Sequence, residues 1–132
     1  MPLTLEIVTP ERRLLSVQCD EVRAPGVNGG FGVRPRHAAF ITALEAGELI
    51  YTDAGQQHRF VVGGGFLQVS NDKVIVLADT AERRDEIDVD RAKRAMEDAT
   101  VQLRKLGEDD PEFALQSARL RRAAARIGIG AR

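Results

Sequence analysis

Two hydrophobic periods divide this chain. Over the first ~80 residues apolar positions alternate with polar ones, as on a strand with one buried face. Leu3, Leu5 and Ile7 alternate with Thr4 and Glu6 until Pro10, and Val17, Cys19, Val22 and Ala24 carry the pattern on. Leu49-Ile50-Tyr51 leads to a hairpin signal at Asp53-Ala54-Gly55-Gln56, then to His58-Arg59-Phe60-Val61-Val62. Gly63-Gly64-Gly65 joins that strand to Phe66-Leu67-Gln68-Val69, and Ser70-Asn71-Asp72 turns the chain into Val74-Ile75-Val76-Leu77. This last run is apolar on both faces, which predicts a strand running between packed layers. Many short strands at close spacing predict a β-sandwich or a flattened barrel.

From residue 88 the period lengthens. Val89, Ala92, Met96, Ala99, Leu103 and Leu106 recur at spacings of three and four, the seam of one helix. Asp88 is a good N-cap for it, with Asp90 at the positive end of the dipole. Gly107-Glu108-Asp109-Asp110-Pro111 breaks the pattern, with Asp110 as the next N-cap and Pro111 in the first helical position. Phe113, Ser117, Leu120, Ala124 and Ile127 then form a second seam, so an antiparallel helical hairpin is predicted. The domains expected are a β-sandwich over residues 1–84 and a hairpin over residues 85–132. Ala92, Ala99, Ser117 and Ala124 make the seam thin. At ~25 cal/mol per Å² such a seam buries too little to hold a hairpin against its conformational entropy. The tail needs a third surface, either its own sandwich or another protein.

The 132 residues carry 19 basic and 20 acidic side chains, a net charge of −1. That balance removes the electrostatic argument for nucleic acid or anionic membrane as the main partner. No apolar run reaches the ~20 residues needed to span a bilayer, the N-terminus lacks the pattern of a signal peptide, and Cys19 is the single cysteine. A cytoplasmic, soluble chain is expected.

Candidate chemistry is sparse. There is no phosphate loop ending in Gly-Lys-Ser/Thr, no nucleophile-elbow motif, and His37 and His58 have no ligand-spaced partners for zinc. No metal and no catalytic residue is expected. The stretch from Pro25 to His37 holds four glycines, which suit either a bulged strand edge or a loop that lets another backbone approach closely. Arg119, Arg122 and Arg126 share one helical face, and no acidic residue follows Glu112. That face suits water, an acidic protein surface or a polyphosphate.

Three segments carry a family resemblance: the glycine turn through His37-Ala38-Ala39-Phe40-Ile41-Thr42, the junction from Gly63 to Val69, and Leu77-Ala78-Asp79-Thr80-Ala81-Glu82-Arg83. With the C-terminal helix pair they make the chain resemble, from end to end, the epsilon subunits of bacterial F-type ATP synthases. The resemblance implies a flattened ten-stranded sandwich followed by two helices. It implies a non-catalytic rotor subunit of the central stalk, on the cytoplasmic face of the bacterial inner membrane. Its implied partners are the gamma subunit, the c-ring and the catalytic alpha and beta subunits. By position, Asn28, Gly29, Gly30, Phe31 and Gly32 are expected at the c-ring. His37, Ala38, Ala39, Phe40, Ile41 and Thr42 are expected at gamma. The hairpin is expected to switch between compact and extended forms, setting Arg119, Arg122 and Arg126 against acidic segments of the catalytic head to obstruct hydrolysis. Some relatives bind ATP in the compact form, and Glu82, Ile87, Asp88, Arg91, Ala92, Arg122 and Arg126 match that pattern. Asp98 stands where those relatives have an arginine, which implies weakened ATP binding. Arg36 replaces the usual glycine before the histidine, and Gly30 an acidic residue. Two other classes compete with this reading: a ligand-binding sandwich whose tail dimerises, and a small hydrolase, which no motif supports.

Overall fold

A computed structural model describes residues 2–130. The chain divides after Arg83 into two units. In the first, the described residues form eight strands: β1 (Leu3–Val8), β2 (Arg13–Cys19), β3 (Glu21–Gly26), β4 (Gly29–Val33), β5 (Phe40–Asp53), β6 (Gln56–Ser70), β7 (Lys73–Ala78) and β8 (Ala81–Arg83). They hydrogen-bond in the order β2-β1-β7-β6-β5-β3-β4, with β8 also on β6. Only β1 and β7 run parallel; the remaining pairs are antiparallel.

The sandwich comes from folding this one sheet. β5 and β6 pair from Phe40↔Val69 to Asp53↔Gln56. One half of β6 bonds β7, from Gly65 to Ser70, and the other bonds β8, from Phe60 to Val62. Each long strand therefore serves two layers, and counting them once per layer turns eight strands into the ten the resemblance implied. The change of layer falls on the glycines. Gly64 and Gly65 have φ of 104° and 128°, which side chains rarely adopt. Before them Phe60 and Val62 point inward; after them Leu67 and Val69 do. A strict period of two from Val62 would have buried Phe66, which is instead 55% exposed.

Both layers share one core, with Leu3, Leu5, Ile7, Leu67 and Val74 from one and Val22, Val33, Leu49, Phe60 and Val62 from the other. The turns are chemically local. Ala54-Gly55 and Asn71-Asp72 each have positive φ at both residues, the two-residue turn that matches strand twist. One expectation fails here. β7 does not run between layers: Val74 and Val76 are buried, but Leu77 on the opposite face is 53% exposed.

The second unit holds a short 3₁₀ turn (Arg84–Glu86), α1 (Val89–Arg104) and α2 (Pro111–Gly130). Both N-caps form as the sequence predicts. Asp88 Oδ1 accepts the Arg91 amide at 3.0 Å, and Asp110 Oδ1 accepts the Glu112 amide at 2.9 Å. The seam differs in detail. Ala92 and Ala99 are buried, but Met96 is 37% exposed, and on α2 Ala123 is buried while Ala124 is exposed. Alanines at 123 and 124 both keep spacings of three and four between Leu120 and Ile127, so the pattern alone could not choose between them. Half-buried Ala95 lies beside Ala92 and Ala99, so small side chains line the buried face of α1 there.

Candidate functional site

β3 and β4 form a hairpin whose tip is Val27-Asn28, followed by Gly29 at φ 119°. A Cβ on Gly26 would lie 2.8 Å from Gly29 O, so the two strands close tightly below the tip. On the open side, Gly30 and Gly32 leave a trough of about 920 Å³ whose rim includes Arg23, Arg34, Arg36, His37 and Glu45. Glu21 anchors that rim. It accepts from Arg23 Nε at 2.6 Å and from Arg34 Nε at 2.9 Å, and these two hydrogen bonds hold its carboxyl below the ordinary glutamate range.

Two sets of residues the resemblance kept apart meet here. The Phe31 ring sits edge-on to Phe40 at 5.5 Å between centroids, and the His37 ring lies tilted 5.9 Å from Phe40. The tip strand and the segment 37–42 therefore share one aromatic contact. Arg36, the residue in place of a glycine, takes φ 68° and its amide donates to Asp72 Oδ1 at 2.6 Å. Asp72 belongs to the β6–β7 turn, in the layer that Phe40–Thr42 joins through β6, so this bond ties the start of the segment to that layer.

That layer's outer face is the feature sequence reasoning missed. Ile41 is 68% exposed, and its neighbours in register are Gln68 and, across β6, Ile75. In the next row Ala43, Phe66 and Leu77 lie side by side. These rows make an exposed apolar stripe across three strands, and Lys73, at its edge, is paired with Glu6 at 3.5 Å. Contiguous exposed apolar surface of this kind marks an interaction site. The signal was present in the apolar run at 74–77, but it was read as a strand covered on both sides.

In the helical unit, Leu115, Arg119, Arg122 and Arg126 fall at i, i+4, i+7 and i+11, on one face of α2. Leu115 is 63% exposed at the start of that face. The Arg119 guanidinium donates to Asp98 Oδ2 on α1, a contact the sequence reading did not include. Of the residues matched to the ATP pattern, Ile87, Asp88, Arg91 and Ala92 gather at the start of α1, while Arg122 and Arg126 lie one turn apart on α2. Asp88 caps the helix, and Ala92 is buried. Glu82 lies on β8, in the sandwich unit. Among the described residues no group of three acidic, histidine or cysteine side chains is placed to hold a metal ion.

Comparison with known proteins adds the following. Residues 2–84 match the family described as the ATP synthase delta/epsilon chain β-sandwich domain, and residues 85–129 its long α-helix domain. The chain is 61% identical, over the full length of both, to the ATP synthase epsilon chain of Anaeromyxobacter dehalogenans. It is 49% identical to that of Myxococcus xanthus, over 96% of this chain and 93% of the relative. Its fold is similar to a chain in a cryo-EM structure of Euglena gracilis mitochondrial ATP synthase, with a TM-score of 0.78 at 20% identity, covering 94% of this chain and 78% of that one.

Proposed function

We propose a coupling and regulatory role for this chain from the premise that it belongs to the ATP synthase delta/epsilon family. As a member it is an accessory, non-catalytic subunit of the central stalk of an F-type ATP synthase, and a peripheral part of a membrane complex. No described helix is long and apolar enough to cross a membrane. The bacterial relatives favour the cytoplasmic face of the inner membrane.

The gamma subunit takes the apolar stripe of Ile41, Phe66 and Leu77, together with residues 37–42. That exposed stripe is the observation that carries the reading, because a solvated sandwich has no need of it. The c-ring takes the tip strand, residues 28–32, where Gly29, Gly30 and Gly32 let another backbone come close. The shared Phe31–Phe40 contact supports a rigid link between the two docking sites, as a part that transmits torque requires. The hairpin acts as a brake on hydrolysis, its arginine face meeting acidic segments of the catalytic alpha and beta subunits. Regulatory ATP, if taken up at Glu82, Ile87, Asp88, Arg91, Ala92, Arg122 and Arg126, binds weakly, since Asp98 brings a negative charge to that helix face.

ATP hydrolysis by an epsilon-free catalytic head containing gamma tests this, with the full chain, residues 1–87, or Phe66→Asp added. The full chain should inhibit, and residues 1–87 should bind gamma without inhibiting. Phe66→Asp should lose gamma affinity by about 30-fold, the effect of removing a central aromatic anchor worth about 2 kcal/mol. Undiminished gamma binding by Phe66→Asp would sink the stripe as the docking face.

A further inference from the structure

Arg119, on the arginine face of α2, is already held by a side chain of this chain. Arg119 donates to Asp98 Oδ2 across the helical hairpin, joining the middle of α1 to the middle of α2. We propose that Asp98 is an internal competitor for the brake: it holds the hairpin closed and occupies the guanidinium that an acidic partner would take. This rests on the reading of the arginine face as the inhibitory surface.

Three observations carry it. The buried side chains of the seam near the pair are small, Ala92, Ala99 and Ala123, while Leu103, Leu120 and Ile127 are only half-buried. Ile129 is the one large side chain buried among the described helical residues, so only modest apolar burial opposes separation of the helices. A modest ion pair is then a sizeable share of what keeps them together. The pair is reachable, with Arg119 39% and Asp98 54% exposed at the side chain, so an incoming carboxylate can exchange for Asp98 without first crossing a packed core. Finally, Arg119 lies between exposed Leu115 and Arg122 on the same face, so an acidic segment seated there meets Arg119. Asp98 thereby sets a threshold: engagement of the brake requires loss of an internal contact. Exposed pairs are worth at most about 1 kcal/mol, which limits the threshold to about fivefold in the closed–open equilibrium.

The test uses the full-length chain as wild type, Asp98→Asn and Asp98→Glu. Amide hydrogen exchange of the isolated chain reads the hairpin, with the strands of the sandwich unit as an internal control. Half-inhibition of the catalytic head reads the brake. Asp98→Asn should speed exchange in both helices by up to about fivefold and lower the half-inhibiting concentration by a similar factor. Asp98→Glu, which keeps the charge, should resemble wild type, and 1 M salt should shrink every difference. Unchanged exchange in Asp98→Asn would overturn the latch. So would faster exchange without stronger inhibition, provided wild type inhibits. A wild type that fails to inhibit removes the brake reading by itself, and the exchange arm still decides whether Asp98 closes the hairpin.

Discussion

Glu21 joins two strands through a single carboxylate, one oxygen to Arg23 on β3 and the other to Arg34 just beyond β4. Because the folded state favours the ionised form, its pKa lies below the ordinary 4.5. The sign follows from linkage. A depressed carboxyl contributes stability above its unfolded pKa and loses it as pH falls through the folded value. Glu21→Gln should therefore lower stability at pH 7 by about 1 kcal/mol or less, given the partial exposure of both arginines. The deficit relative to wild type should fade as pH falls below 4.5. Urea denaturation of both proteins between pH 7 and pH 3 checks this, and a deficit that persists at low pH would assign the loss to packing instead. Cys19 shows the opposite case: burial, and then the nearby Asp20 and Asp53, push its thiol up to about 11. Arg36 was legible as an oddity from the sequence, as a side chain where a glycine is usual. Its bond to Asp72 was not, since the partner lies 36 residues away.

The long β5–β6 ribbon is the element that makes a sandwich from a sheet. Its change of layer depends on Gly65, where a Cβ would lie 2.0 Å from Leu77 O and 2.9 Å from Ala78 Cα, both backbone atoms of β7. Gly65→Ala should thus cost about 3 kcal/mol or more, combining an unfavourable positive φ with a clash that no rotamer relieves. Chemical denaturation should show the midpoint fall. A loss under 1 kcal/mol would mean that β7 can move away from β6 and that the junction is not tight. Alternation within each strand was readable, because side-chain period is a property of neighbours. The inward parity switch at Gly64 was not, since it depends on which layer the chain is entering. The helices show the same division. Caps at Asp88 and Asp110 follow from local hydrogen bonding, whereas the choice of Ala123 over Ala124 depends on the facing helix.

As a whole the molecule pairs two units of unequal cohesion. Among the described residues the sandwich has a continuous core of seventeen buried residues, while the helical unit's buried apolar side chains are Ala92, Ala99, Ala123 and Ile129. Exchange-protected amides should therefore divide in two: strands β1, β6 and β7 opening only with global unfolding, and α1 and α2 opening at lower free energy. Equal protection in both units would refute a loosely held tail. That inequality was legible in the sequence, as were the two-part organisation, the turns, the helix caps, and the absence of motifs for catalysis or phosphate binding. Each depends on composition or on residues a few positions apart. Tertiary structure alone decided which apolar residues stay outside. Leu77 read as covered on its strand, and with Phe66 it becomes part of an exposed stripe only because β7 has a partner layer on one face. It also decided that Arg119 meets Asp98, a contact that exists only once the chain has doubled back at residues 105–110.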